Sequence, residues 1–297
     1  MYKSYFTGKN INAKRKEGWF DLEPKLEGKL IIIGGAEDKE GEKSILKEVC
    51  TKLDKDSDEL VIATVATELP GEVGREYLNI FKNLGVKKIS LLDIQSREDA
   101  FEEGNVDMLR KASIVFFTGG DQLRITSLLG GTPLYKIIKE IYINGCIFVG
   151  TSAGASVMSD TMIVTGLDED SPKKSTIKMA PGLGLIRDVI IDQHFAQRGR
   201  IGRLLCAVAE NPECLGIGID EDTSIEVSEK GFFRTIGSGA VYVIDGSSIT
   251  YTNISEQHQD EVLSIFNVKM HILKNNDRFD LTTRQPFNNE EEKNEDN

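Results

Sequence analysis

The stretch CIFVGTSAGAS at residues 146–156 joins an apolar run to a glycine-rich turn and a helix-compatible segment. The run CIFV is typical of a buried strand, and Gly150, Ser152 and Gly154 form a G-x-S-x-G pattern. A sharp strand-to-helix turn of this kind exposes a serine hydroxyl and the next backbone N–H to the same space. The pattern predicts an α/β fold with Ser152 as a candidate nucleophile, although a tight turn without a catalytic role also matches it.

Strand-like and helical segments alternate along the chain before this turn. The strand-like segments are KLIIIGG, ELVIATVAT, KKISLLDI and SIVFFTGG, and helical periodicity lies between them. This order predicts right-handed crossovers and a mostly parallel sheet flanked by helices, with CIFVG in the middle of the sheet. From about Leu215, the short runs LGIGID, TSIEVS, FFRTIG, AVYVID and SITYTNI predict an antiparallel extension toward the C-terminus that closes one side of the sheet.

The length of 297 residues fits one large α/β domain, which we expect over residues 29–275. Residues 1–28 are predicted to be an irregular N-terminal segment. Residues 276–297 end in NNEEEKNEDN and are predicted to be an acidic, disordered tail.

Charge and hydropathy exclude two classes of partner. The net charge of −12 argues against binding to nucleic acid, because phosphate contacts need a surplus of Lys and Arg. The longest apolar runs, such as LVIATVA, are strand-sized, so we expect no membrane association. The first residues lack the apolar region of a secretory signal, and we expect a cytoplasmic protein.

Cofactor and metal signals are weak. Four scattered cysteines, none in a C-x-x-C pair, predict buried structural thiols rather than a disulfide framework or a zinc site. The segment GGAEDK at residues 34–39 places acids where a dinucleotide-binding turn needs its second and third glycines, and no phosphate-binding G-x-x-x-x-G-K-[ST] motif occurs. We therefore predict no cofactor and no metal.

A serine nucleophile needs a base within hydrogen-bond reach, and the chain has three histidines. His258 lies in the polar stretch EQHQDE, and His271 lies in the strand-like run VKMHIL. His194 instead follows the apolar run DVII in VIIDQHFAQRGR, at a strand end where the active face is expected. His194 is therefore the predicted base.

A carboxylate is needed to orient the base, and two N–H donors are needed for the oxyanion. LGIGIDEDTS offers Asp220, Glu221 and Asp222 after an apolar strand, and spacing alone does not choose among them. Ala153 N–H follows from the elbow pattern. The second predicted donor is a glycine of TGGDQ, with Gly120 preferred to Gly119.

Six segments in this order resemble the family of serine peptidases that contains cyanophycinase and peptidase E. They are GGAEDK, FFTGGDQ, GTSAGAS, APGLGL, IDQHFAQRGRIGRL and GIGIDEDT. The resemblance implies a fold related to class I glutamine amidotransferases, with serine in place of their elbow cysteine. It also implies a triad of Ser152, His194 and Glu221. The departure is Ala36, which stands where a GGGEDK-like segment has a third glycine.

The family also implies a substrate and a homodimer. Cyanophycin (multi-L-arginyl-poly-L-aspartate) has an aspartate backbone with arginine on each side chain, and cyanophycinases release β-Asp-Arg dipeptides from it. Paired N–H donors of arginine suit an aspartyl carboxylate. If residues 197–210 are helical, Arg200 and Arg203 share one face and Arg198 points elsewhere. The predicted substrate-binding residues are Gln122, Asp192, Gln193, Arg198, Arg200 and Arg203.

Two other hypotheses compete with this one. A peptidase E-like aspartyl dipeptidase would remove an N-terminal aspartate from short peptides, and the GGDQ and DQHF segments argue against it. A non-catalytic binding protein would keep the fold without turnover, and the intact serine, histidine and acid argue against that.

Overall fold

The computed structural model describes residues 28–166, 168, 171–173, 177–256 and 261–287. The predictions for residues 1–27, for residues 288–297 and for His258 lie outside this part of the chain. Among the described residues, no helix combines the length and the apolar character that crossing a bilayer requires.

A nine-stranded mixed sheet forms the centre of the fold. Its parallel half has the spatial order β1 (Leu30–Ile33), β5 (Ile147–Thr151), β4 (Ala112–Phe117), β2 (Glu59–Ala63) and β3 (Lys88–Leu92). Its antiparallel half continues outward from β1 through β10 (Thr223–Val227), β11 (Phe232–Gly237), β16 (Arg278–Asp280) and β17 (Gln285–Phe287). The predicted parallel sheet with an antiparallel extension is thus confirmed, and β5 lies in its interior between β1 and β4.

Helices cover both faces of this sheet because successive strand residues point to opposite sides. In β1, Leu30 and Ile32 join the core cluster that includes Ile138 of the fifth helix, whereas Ile31 and Ile33 join the cluster that includes Leu46 of the first. The helices are α1 (Ser44–Thr51), α2 (Pro70–Asn83), α3 (Glu103–Arg110), α4 (Gln122–Leu129), α5 (Pro133–Ile143), α6 (Ala153–Ser156) and α7 (Ile201–Glu210).

A second, four-stranded sheet corrects part of the prediction. Its order is β15 (Lys269–Leu273), β12 (Val241–Asp245), β9 (Leu215–Ile219) and β8 (Val189–Gln193), with β8 and β9 parallel. The prediction that LGIGID and AVYVID extend the main sheet was therefore wrong. The reason is that β9 pairs with β8 and β12, and pairing between segments this far apart in the chain does not show in the apolar runs. Ile217 faces the core shared with the main sheet, and a Cβ on Gly216 would lie 2.7 Å from Val208 of α7.

In the described part of the chain, two small hairpins lie outside these two sheets, and one of them contains Tyr251 and Thr252 of the run SITYTNI, which was predicted for the extension of the main sheet. The hairpins are β6 (Thr161–Thr165) with β7 (Lys178–Pro181), and β13 (Tyr251–Thr252) with β14 (Ile265–Phe266).

The start of the range predicted as a disordered tail is part of the main sheet. Strands β16 and β17 fall within residues 276–297, so the predicted boundary at residue 275 is too early. Phe279 is fully buried and stacks on Phe233 with ring centroids 5.6 Å apart. This apolar side chain gives the segment a contact with the core, which the acidic run farther along the chain does not share.

The two sheets meet at the ends of β1, β8 and β9. Strand β9 continues into β10 of the main sheet through residues 220–222, and β8 ends directly before His194. The N–H of His194 donates to the carbonyl of Gly34, which follows β1, over 2.8 Å. Because Ile33 pairs with Thr151 in the parallel register, this junction lies beside the end of β5.

Candidate active site

Ser152 occupies the strand-to-helix turn between β5 and α6 with φ 54° and ψ −111°. Both flanking glycines are required there. A Cβ on Gly150 would lie 2.2 Å from the Gly154 carbonyl oxygen, and a Cβ on Gly154 would lie 2.4 Å from the Phe117 carbonyl oxygen. A non-glycine residue at positive φ is strained and persists only where its surroundings hold it. The G-x-S-x-G pattern therefore marks a tight elbow with Ser152 at its tip.

A hydrogen-bonded chain runs from Ser152 through His194 to Glu221. Ser152 Oγ lies 3.0 Å from His194 Nε2, and His194 Nδ1 lies 2.6 Å from Glu221 Oε1. His194 is buried and has φ 47°, a second strained residue in the same site. Hydroxyl, imidazole and carboxylate in this order form the arrangement in which a base can take a serine proton.

The other two acids of the DED segment bind backbone groups. The carboxylate of Asp220 accepts from the N–H groups of Ala196 and Ala240 at 2.9 and 3.0 Å. The carboxylate of Asp222 accepts from the Asp38 N–H at 2.9 Å and from a serine hydroxyl. The carboxylate that reaches the imidazole is that of Glu221, whereas Asp220 and Asp222 hold the neighbouring loops.

The pKa of His194 is lowered from its ordinary value of 6.5. Burial is the largest cause, because the charged imidazolium loses hydration. The hydrogen bond to Glu221 raises the pKa, and the positive charges of Arg198 and Arg200 lower it. A neutral imidazole is thereby favoured near neutral pH, which is the form that can accept a proton.

The predicted oxyanion donors lie around the serine, and their role stays a prediction. Ala153 is the first residue of α6, where N–H groups have no acceptor within a helix. A Cβ on Gly119 would lie 3.4 Å from Ser152 Cβ, so Gly119 borders the serine. Gly120 has φ +143°, and a Cβ there would lie 2.2 Å from the Ala66 carbonyl oxygen, so Gly120 packs tightly against the loop after β2.

Two of the predicted substrate-binding arginines are paired within the protein. Arg203 Nε and Nη2 donate to the two carboxylate oxygens of Asp192 at 2.7 and 2.5 Å. Arg200 Nε donates to Asp168 Oδ1 at 2.8 Å, and its Nη1 donates to the Gln193 carbonyl at 2.7 Å. Both guanidinium groups are buried. Their donors therefore already have acceptors in the folded chain.

Of the remaining predicted contact residues, Gln193 and Gln122 have side chains that are hydrogen-bonded within the described part of the protein, whereas the side chain of Arg198 is free there. Gln193 Oε1 accepts from Arg200 Nη1 at 3.1 Å. The Gln122 amide donates to the carbonyls of Ile163 and Val164 in β6 at 2.9 and 3.1 Å. Arg198 is exposed, and its guanidinium group has no hydrogen bond or ion pair with another residue of the described chain. Helix α7 begins only at Ile201, because Gly199 with φ +58° interrupts the backbone after a 3-10 turn at Ala196–Arg198.

Sequence reasoning missed several residues that contact the triad. Gln197 Oε1 accepts the Glu221 N–H at 3.0 Å, and a Cβ on Gly35 would lie 2.4 Å from His194 Nε2. Glu37 accepts a hydrogen bond from Thr151, the residue before the serine. The available signal was GGAEDK, which is glycine-rich at a strand end, but neither its comparison with a dinucleotide-binding turn nor the family resemblance predicts that it supports the triad.

The cysteines and possible metal ligands add no reactive centre to the described part of the chain. All four cysteines are free and buried, and burial raises the pKa of the Cys146 thiol to about 12. The prediction of buried structural thiols is confirmed. The described ranges bring together no group of three or more His, Cys, Asp or Glu side chains that could hold a metal ion.

Comparison with known proteins adds sequence and fold relationships to this geometry. The model of the family described as peptidase family S51 matches residues 30–235. A cyanophycinase of Synechococcus elongatus is 38% identical over 259 residues, covering 87% of this chain and 80% of that protein. A cyanophycinase of Nostoc sp. is 40% identical over 256 residues, covering 86% of each. The solved structure of a peptidase from an acI-B1 Actinobacterium has the same fold, with a TM-score of 0.59, 22% identity and coverage of 75% of this chain and 93% of that one.

Proposed function

The chain belongs to peptidase family S51, and on this premise we propose that it is a serine-type cyanophycinase that releases β-Asp-Arg dipeptides from cyanophycin. The observation that carries the proposal is the hydrogen-bonded chain from Ser152 Oγ to His194 and Glu221. A serine hydroxyl is a poor nucleophile without an adjacent base, and this site supplies both the base and its orienting carboxylate. The similarity to cyanophycinases over most of the chain supports the substrate.

The mechanism begins with attack of Ser152 Oγ on the scissile carbonyl carbon while His194 Nε2 takes the hydroxyl proton. The oxyanion that forms accepts hydrogen bonds from the N–H of Ala153 and from that of Gly120. His194 then gives the proton to the leaving amine, and an ester links the substrate to Ser152. Water, deprotonated by His194, hydrolyses this ester, and Glu221 keeps the imidazole oriented in both halves.

Arg198 is the arginine that we propose for binding a substrate carboxylate. It is exposed, and its own N–H donates to the His194 carbonyl at 3.1 Å, which keeps it at the active site. To bind substrate, Arg200 would have to leave Asp168 and Arg203 would have to leave the buried Asp192, so two buried guanidinium groups would lose their paired charges. We assign these two a structural role in which they hold the segment around β8.

The fold relationship is also part of the proposal. We propose that the chain is related to class I glutamine amidotransferases, with Ser152 in place of their elbow cysteine. The supporting features are the mixed sheet and the elbow at the end of a central parallel strand.

The test is incubation of the purified protein with cyanophycin and, separately, with an Asp-X dipeptide, followed by mass analysis of the products. We expect β-Asp-Arg from cyanophycin, and no product from a Ser152→Ala variant that melts like the wild type. Cleavage of the dipeptide alone would favour the peptidase E-like hypothesis. Turnover by a folded Ser152→Ala variant would exclude the serine mechanism.

A further inference from the structure

The loop at residues 34–38, between β1 and α1, forms hydrogen bonds with the backbone of His194 and with the backbone next to Glu221. The carbonyl of Gly34 accepts the His194 N–H at 2.8 Å, and the carbonyl of Gly35 accepts the Asp222 N–H, next to Glu221, at 2.9 Å. These bonds fix the backbone that carries the base and the acid. The same loop carries Glu37, whose side chain binds Thr151, the residue before Ser152.

Glu37 is a buried carboxylate that the proposed mechanism does not use. It is 4% exposed, and its Oε2 accepts from Thr151 Oγ1 at 2.6 Å. Its Oε1 accepts from the Tyr77 hydroxyl of α2. Burial and the charge of Glu37 raise the pKa of Tyr77, so the phenol stays protonated and can donate. The Glu37 carboxylate is therefore fixed by Tyr77 of α2, and it in turn binds Thr151 at the end of β5.

We infer that Glu37 is a positioning residue, which fixes the elbow of Ser152 relative to His194 by binding the side chain of Thr151. Thr151 directly precedes Ser152, whose φ of 54° must be held by its surroundings. Because Gly34 and Glu37 belong to one short loop, the backbone of the base and the backbone of the nucleophile share one support. The distance of 3.0 Å between Ser152 Oγ and His194 Nε2 depends on both contacts.

The inference rests on the proposed role of Ser152 as a nucleophile, but not on the identity of the substrate. The readout can therefore be the rate at which a serine-directed fluorophosphonate modifies Ser152, followed by intact-protein mass. Thr151→Val keeps the shape of the side chain and deletes the hydroxyl, whereas Thr151→Ser keeps the hydroxyl. We expect Thr151→Val to slow modification by roughly 10-fold or more and Thr151→Ser to restore it to near the wild-type rate.

A double-variant cycle assigns the effect to Glu37. Glu37→Ala should slow modification about as much as Thr151→Val, and the double variant should be no slower than Glu37→Ala alone, because both changes delete the same bond between Glu37 and Thr151. If Glu37→Ala fails to fold, the two Thr151 variants still decide the question. With cyanophycin, the loss for Thr151→Val should appear in kcat and leave KM unchanged.

Tyr142→Phe is the matched control for stability. It also deletes the hydrogen bond of a buried hydroxyl, which donates to the Gly28 carbonyl at 3.2 Å, but Tyr142 lies on α5. We expect a lower melting temperature with an unchanged rate of Ser152 modification. A folded Thr151→Val variant that reacts as fast as the wild type would overturn the positioning role alone. A wild-type protein that is not modified at all would overturn the serine mechanism, and the inference with it.

Discussion

The fit between Gly35 and the imidazole predicts a large effect from one methyl group. A Cβ at residue 35 would lie 2.4 Å from both Cε1 and Nε2 of His194, whereas ordinary van der Waals contact begins at 3.4 Å. The ring must therefore move by about 1 Å to admit the methyl group. Such a shift would take Nε2 from its 3.0 Å contact with Ser152 Oγ to beyond hydrogen-bond range.

We expect Gly35→Ala to lower kcat/KM on cyanophycin by roughly 100-fold, which corresponds to about 2.7 kcal/mol of transition-state stabilisation. The backbone at Gly35 has φ +99°, so alanine also adds conformational strain. Gly145→Ala separates the two effects, because Gly145 has φ +97° and a Cβ there would meet nothing within 4 Å. The control should lose stability similarly and keep its activity.

The assay is steady-state hydrolysis of cyanophycin, with thermal melting of both variants. A folded Gly35→Ala protein with activity within threefold of wild type would refute the idea that the glycine makes room for the imidazole. An equal loss of activity in Gly145→Ala would show that backbone strain, rather than contact with the base, is responsible.

Three further predictions concern protonation and stability. Since the pKa of His194 lies below 6.5 and only the neutral ring accepts a proton, kcat/KM should rise with pH through a midpoint below 6.5. A midpoint above 6.5 would contradict this. Ala36→Gly should stabilise the protein by about 0.5–1 kcal/mol in urea unfolding, because Ala36 has φ 45°; unchanged stability would show no strain there. Arg203→Lys should destabilise the fold by about 1–3 kcal/mol by breaking the two-point pair with Asp192, and wild-type stability would disprove that role.

The parts of the fold that follow from local patterns could be predicted. The apolar runs of the parallel strands and the glycines around Ser152 reflect demands made within a few residues. At Gly150, for example, a Cβ would lie 2.2 Å from the Gly154 carbonyl oxygen. His194 could be selected among three histidines because it follows an apolar strand directly. In each case the signal lies in the residues that directly neighbour the position in the sequence.

The parts that depend on distant partners could not be predicted. Whether LGIGID joins the main or the second sheet depends on its pairing with β8 and β12, which are distant from it in the sequence. Similarly, the arginines of RGRIGRL give no sign that Arg200 pairs with Asp168, 32 residues earlier. Free and internally paired arginines look alike in a sequence, because pairing is a property of the folded chain.

Arg198 connects substrate binding to the strength of the base in the proposed function. It lies in the 3-10 turn that also carries Gln197, whose side chain holds the Glu221 backbone. Its positive charge lowers the pKa of His194. A substrate carboxylate bound to Arg198 would offset that charge, so the pKa of His194 would rise toward its ordinary value when substrate is present. The imidazole would then be a stronger proton acceptor in the complex than in the free protein, and a ligand lacking the carboxylate would lose both binding and part of this activation.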